Sequence, residues 1–76
     1  MIVQKTDERT PGLTLHRKVR IAFIDQGTTF HAWCLSNEID PKNARMAIVG
    51  GWNGPKGQAL RRRILYAAGL IKQEVA

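Results

Sequence analysis

The chain holds one cysteine, Cys34, in 76 residues, and no apolar stretch of the length a bilayer span requires. A lone thiol excludes an internal disulfide framework and fits a reducing compartment. Uncharged runs such as 46-MAIVGGWNGP-55 fall well short of the roughly 18 apolar residues of a membrane helix. The opening residues MIVQKTDERT carry acids where a signal peptide is apolar, so no export signal is expected and the cytoplasm is the default compartment. Paired carboxylates and a phosphate-binding glycine loop are both missing. At this length only about 60% of the unfolded surface is buried, so no deep pocket for a small-molecule substrate is expected. Aromatic residues make up 7% of the chain and form no paired stacking platform of the kind single-stranded RNA uses. Together these gaps predict a single small domain that is not an enzyme and takes no cofactor.

Charge is present, and it is lopsided. Residues 1–40 carry five basic and five acidic side chains, whereas residues 41–76 carry seven basic and only Glu74 as an acid. The whole net charge of +6 therefore sits in the second half, with no acid between Asp40 and Glu74. Such asymmetry favours a polyanionic partner, nucleic acid before an anionic membrane surface.

Hydrophobic spacing predicts an all-α domain. Residues 1–12, polar and closed by Pro11-Gly12, read as a flexible N-terminal tail, and 13–76 as the domain. Leu15, Val19, Ala22, Phe23 and Gln26 form one stripe of a 3.6-residue period, giving a helix from about Leu15 to Gln26 with Thr14 as its cap. A strand-turn-strand over 19–33 is the competing pattern, broken at Ala22-Phe23-Ile24. A second helix is expected after Thr29, with Phe30, Trp33 and Cys34 inward and an end near Asn37. Asp40-Pro41 is the clearest start signal in the chain, a capping carboxylate followed by proline at the first helical position. The third helix then turns Ala44, Ala47 and Ile48 inward and stops at Gly50-Gly51. Gly54-Pro55 starts a fourth, with Leu60, Ile64, Ala67 and Ala68 inward, Leu65 flanking and Gly69 as its stop. Leu70 and Ile71 are expected to fold back on the core.

Two short helices joined by a tight turn, the second capped and basic on its outer side, describe a helix-turn-helix. The segment 30-FHAWCLSNEIDPKNARMAIV-49 resembles that motif, with Trp33 and small Cys34 facing the crossing helix and Ile39 plugging the turn. Glu38 stands where the motif usually holds glycine, and neighbouring Asn37 is expected to take the left-handed conformation in its place. From about Leu15 to Leu70 the chain is similar to the small helix-turn-helix regulators of temperate phages and prophages, of Ner or Cro type. The stretch 51-GWNGPKGQALRRRILYAAGL-70 resembles prophage DNA-binding proteins in which a Gly-Pro-Lys turn opens the last helix. This resemblance implies a compact four-helix domain that binds double-stranded DNA and regulates transcription, acting as a repressor or activator.

On that reading Lys42, Asn43, Arg45 and Met46 face base edges, Asn suiting adenine and Arg suiting guanine. Phosphate contacts are expected from Thr28 and Thr29, from Lys56 in the first turn of the last helix, and from one or two of Arg61, Arg62 and Arg63. Arg17, Lys18 and Arg20 are weaker flanking candidates beside Asp7, Glu8 and Asp25. Trp52 is expected to cap the core. His16, His31 and Cys34 give at most three soft ligands where a structural zinc wants four, so no metal is expected. Nothing orients a base for nucleophilic chemistry by Cys34 with His31. A homodimer is an expected assembly, through Met1-Ile2-Val3 or 70-LIKQEVA-76. Two other functions fit the same composition: an excisionase-like architectural factor that bends DNA, and a small inhibitor module that binds a protein.

Overall fold

A computed structural model describes residues 11–71, and the expectations placed on residues 1–10 and 72–76 lie outside it. The described chain is helical throughout, in the order α1 (Leu13–Asp25), α2 (Phe30–Ser36), α3 (Pro41–Val49) and α4 (Pro55–Ala68), with no strand among the described residues. The strand-turn-strand pattern over 19–33 is thus replaced by α1, a short turn and the start of α2.

Helix ends follow local chemistry closely. Thr29 caps α2, its Oγ1 accepting the Ala32 N–H at 3.0 Å, and Asp40 caps α3, its Oδ1 accepting the Lys42 N–H at 2.9 Å. Pro41 and Pro55 occupy the first turns of α3 and α4, where a missing N–H costs no helical bond. Gly50 and Gly69 stop these helices in the left-handed conformation, at φ 95° and 77°. The start of α1 departs from expectation. Gly12 is its capping residue and no side chain caps it, so Thr14 lies inside the first turn. Pro11 and Gly12, which composition assigns to the tail, are fastened to the domain instead: the Gly12 N–H donates to Ile48 O at 3.0 Å.

The core is built from Leu15, Val19 and Phe23 of α1, Phe30 and Cys34 of α2, Ala44 and Ile48 of α3, and Ile64, Leu65 and Ala68 of α4. Burial of each large side chain stabilises by about 1.5–3 kcal/mol. Phe23 sits at its centre, stacked on Phe30 at 5.8 Å and on Trp33 at 5.3 Å between ring centroids. Leu65, expected only to flank, is fully buried, because α4 packs against both α1 and α3 and needs a wider apolar face. Gln26, expected in the buried stripe of α1, is exposed, and its Nε2 ties the end of that helix to Ala67 O at 3.0 Å. Leu70 and Ile71 return onto the core as expected.

Trp52 does not pack on this core cluster. It is half-buried over the first turn of α4, where its carbonyl and the root of its ring lie against Gly57. Any side chain at position 57 would collide with the Trp52 carbonyl, so glycine is needed for the approach itself. No helix among the described residues is long and apolar enough to cross a membrane.

Candidate nucleic-acid interface

The centre of the site is α3 with the turn before it. Between α2 and α3 lie only residues 37–40. Glu38, not Asn37, takes the left-handed conformation, at φ 58°, while Asn37 stays at φ −104°. A non-glycine residue pays about 1–2 kcal/mol for that geometry. The return is local: Ile39 N–H donates to Cys34 O at 2.8 Å, and the Ile39 side chain packs against the core. Asn37 contributes differently, its Nδ2 donating to Trp33 O at 2.8 Å.

Within nine residues α3 separates two surfaces. Ala44, Ala47 and Ile48 have no solvent exposure at all, while Lys42, Asn43, Arg45 and Met46 are exposed. Small alanines at 44 and 47 let α3 sit close against its neighbours, and the bulk comes from Ile48. The four residues expected to meet base edges are therefore on one outward-facing side of the helix. Met46 leans over Gly51, its terminal methyl 2.5 Å from where a Cβ at that position would stand. Its carbonyl accepts the N–H groups of Gly50, Gly51 and Trp52, which closes the end of α3.

The residues expected to contact phosphate divide into two groups. Lys56 and Arg62 are exposed on α4. Arg61 is engaged: its Nη1 donates to Ala47 O at 2.9 Å and its Nη2 to Asn53 Oδ1 at 3.0 Å, joining α4 to the end of α3 and the loop beyond it. Arg63 lies over the Trp33 ring at 6.0 Å and donates weakly to Asn37 Oδ1 at 3.4 Å. Arg61 is therefore a clamp rather than a cation held ready for a partner. Thr29 uses its hydroxyl as the α2 cap, and the Thr28 N–H donates to Phe23 O at 3.0 Å.

On the other flank of α3 the fold assembles a groove that sequence spacing displays only in its α1 part. His16, Arg20 and Ile24 of α1, Thr29, Phe30 and His31 at the start of α2, and Pro41 and Arg45 of α3 line one open groove of about 420 Å³. Phe30, Ile24 and Pro41 form apolar walls, and the His16 ring meets Phe30 edge-on at 5.9 Å. No acid lines the groove among the described residues. Partial burial, then the nearby Arg45 and Arg20 charges, hold the His16 imidazole below its ordinary pKa, so the neutral ring is favoured. A signal was present in the sequence, since His16, Arg20 and Ile24 repeat at i, i+4 and i+8 beside the buried stripe Leu15, Val19 and Phe23.

Cys34 is a core residue without solvent access, and burial, followed by the Asp40 charge, pushes its thiol pKa up. Among the described residues no three metal-ligating side chains gather. No family model, no curated protein sequence and no solved structure matches the chain.

Proposed function

We propose that the protein is a duplex-DNA-binding domain whose third helix reads base edges in the major groove. One observation carries this reading: α3 is fully buried on its Ala44, Ala47, Ile48 side and presents Lys42, Asn43, Arg45 and Met46 outward. The turn before it takes the left-handed residue where the helix-turn-helix pattern has its glycine, at Glu38. Both features suit a recognition helix laid along a groove about 12 Å wide. Lys56, Arg62 and the cations around α3 supply the sequence-independent attraction to phosphates.

The resemblance to small phage and prophage regulators supports a role in transcription, by occupation of an operator in the cytoplasm of a bacterial or phage-infected cell. Two copies on half-sites about 34 Å apart would supply the contacts that one small domain lacks. The proposed role is one of binding, and the only thiol, Cys34, is shut in the core.

Fluorescence-anisotropy titration against random-sequence duplex tests the reading. Binding is expected to fall with salt at a log-log slope near −4 to −5, as for about five phosphate contacts. The double variant Lys42→Ala/Arg45→Ala should bind more weakly with a shallower slope. A complex indifferent to salt and to these substitutions would instead favour a protein partner.

A further inference from the structure

The groove between α1, α2 and α3 joins the outward side of α3 through Arg45, yet most of its lining belongs to helices outside the base-reading role. Its chemistry is specific. Two guanidinium groups, two imidazoles and the Thr29 side chain surround apolar walls, and neither Arg20 nor Arg45 donates a hydrogen bond to another described side chain. Two guanidinium charges brought together from α1 and α3, with no acid among the described lining residues, cost free energy unless an anion shares the site.

We infer that this groove seats one backbone phosphate of the bound duplex, gripped by Arg20 of α1 and Arg45 of α3 and flanked by His16 and His31. The inference rests on the duplex-binding reading and adds to it a specific contact from α1. Arginine suits the role because its planar fork pairs with two phosphate oxygens at once. The seat also couples binding to a proton. Without an anion, burial together with Arg45 and Arg20 disfavours the charged form of His16. A phosphate between those arginines offsets their field, so His16 gains a proton from solvent as the duplex binds. Among the described residues the charged and titratable groups facing His16 are Arg20 on its own helix, His31 on α2 and Arg45 on α3.

Duplex affinity measured at constant ionic strength from pH 8 down to pH 6 tests this, with wild type beside His16→Gln and Arg20→Gln. Wild-type binding should tighten about threefold to tenfold as pH falls, a fraction of the tenfold per pH unit that one linked proton allows. His16→Gln should lose most of that dependence. Arg20→Gln, a change at an exposed position, should weaken binding and reduce the salt slope by about one. In the wild-type protein, the His16 titration midpoint followed by NMR should rise when duplex is added, which needs no variant to fold. Tight binding with the same pH profile in wild type and His16→Gln, and an unmoved midpoint, would overturn the phosphate seat alone. Absence of duplex binding at every pH would overturn the seat together with the function it rests on.

Discussion

The two flanks of α3 handle positive charge in opposite ways. Toward α4, Arg61 is bound to Ala47 O and Asn53, and Trp52 lies on Gly57, so side chains lock the end of α3 to its neighbour. Toward α1, Arg45 and Arg20 face an open groove with His16 and His31. Both flanks hold arginines on or beside one helix, yet only one uses them for folding. Counting basic residues therefore overstates what is available to a polyanion, and hydrogen-bond partners show which cations remain for it. On the proposed reading Arg61 on the α4 flank sets where α3 lies, and the α1 flank joins the exposed side of α3 in meeting the partner.

The largest effect should come from breaking the locked flank at its tightest approach. Gly57→Ala drives a Cβ into the Trp52 carbonyl and should cost about 3 kcal/mol or more. In a domain whose total stability is on the order of 4–11 kcal/mol, that is a large loss, visible as an earlier urea midpoint. Next come the two arginines on opposite flanks. Arg61→Ala removes two hydrogen bonds and leaves Ala47 O without its partner, for about 1–2 kcal/mol of stability. Arg45→Ala, at an exposed position, should change stability by less than about 0.5 kcal/mol. Its cost should appear in duplex binding instead, as a weaker complex with a salt slope shallower by about one.

Acid should weaken the groove flank selectively. His16 has a lowered folded-state pKa, so below the ordinary imidazole value of 6.5 the unfolded chain binds more protons than the folded one. Stability from this residue is thus present above that value and declines as pH falls toward the lowered one. Thermal melts across the window should show the decline in wild type and a flatter profile in His16→Gln. The smallest effect is expected at the turn. Glu38→Gly relieves the left-handed strain of about 1–2 kcal/mol but adds chain freedom to the unfolded state, for a net gain of a few tenths to about 1 kcal/mol. A loss of stability there would mean that the turn is held in another way.

Much of this architecture was legible because its signals are local. Asp40-Pro41 and Gly50 bound α3, and Thr29 opens α2, since a cap needs only the few backbone groups beside it. The inward set Ala44, Ala47, Ile48 followed from helical spacing alone. At the turn, propensity favours Asn37 for left-handed backbone, whereas packing of Ile39 into the core makes Glu38 the residue that turns. The α4 arginines were legible as a charge run but not as individuals. Whether Arg61 reaches Ala47 O depends on how closely two helices pack, which no local pattern encodes. The groove failed to show for a related reason: spacing places His16 and Arg20 on one side of α1, but Arg45 comes from 29 positions beyond His16 in the chain.

On the proposed reading the exposed side of α3 meets a duplex while Arg61 on the α4 flank only positions that helix. Anisotropy titrations of wild type, Arg45→Ala and Arg61→Lys across a salt series, each at a temperature well below its melt, test that most directly. Arg45→Ala should bind less tightly with a slope shallower by about one, and Arg61→Lys should keep the wild-type slope. Equal slopes for wild type and Arg45→Ala, with a shallower one for Arg61→Lys, would contradict the account and move the interface to α4.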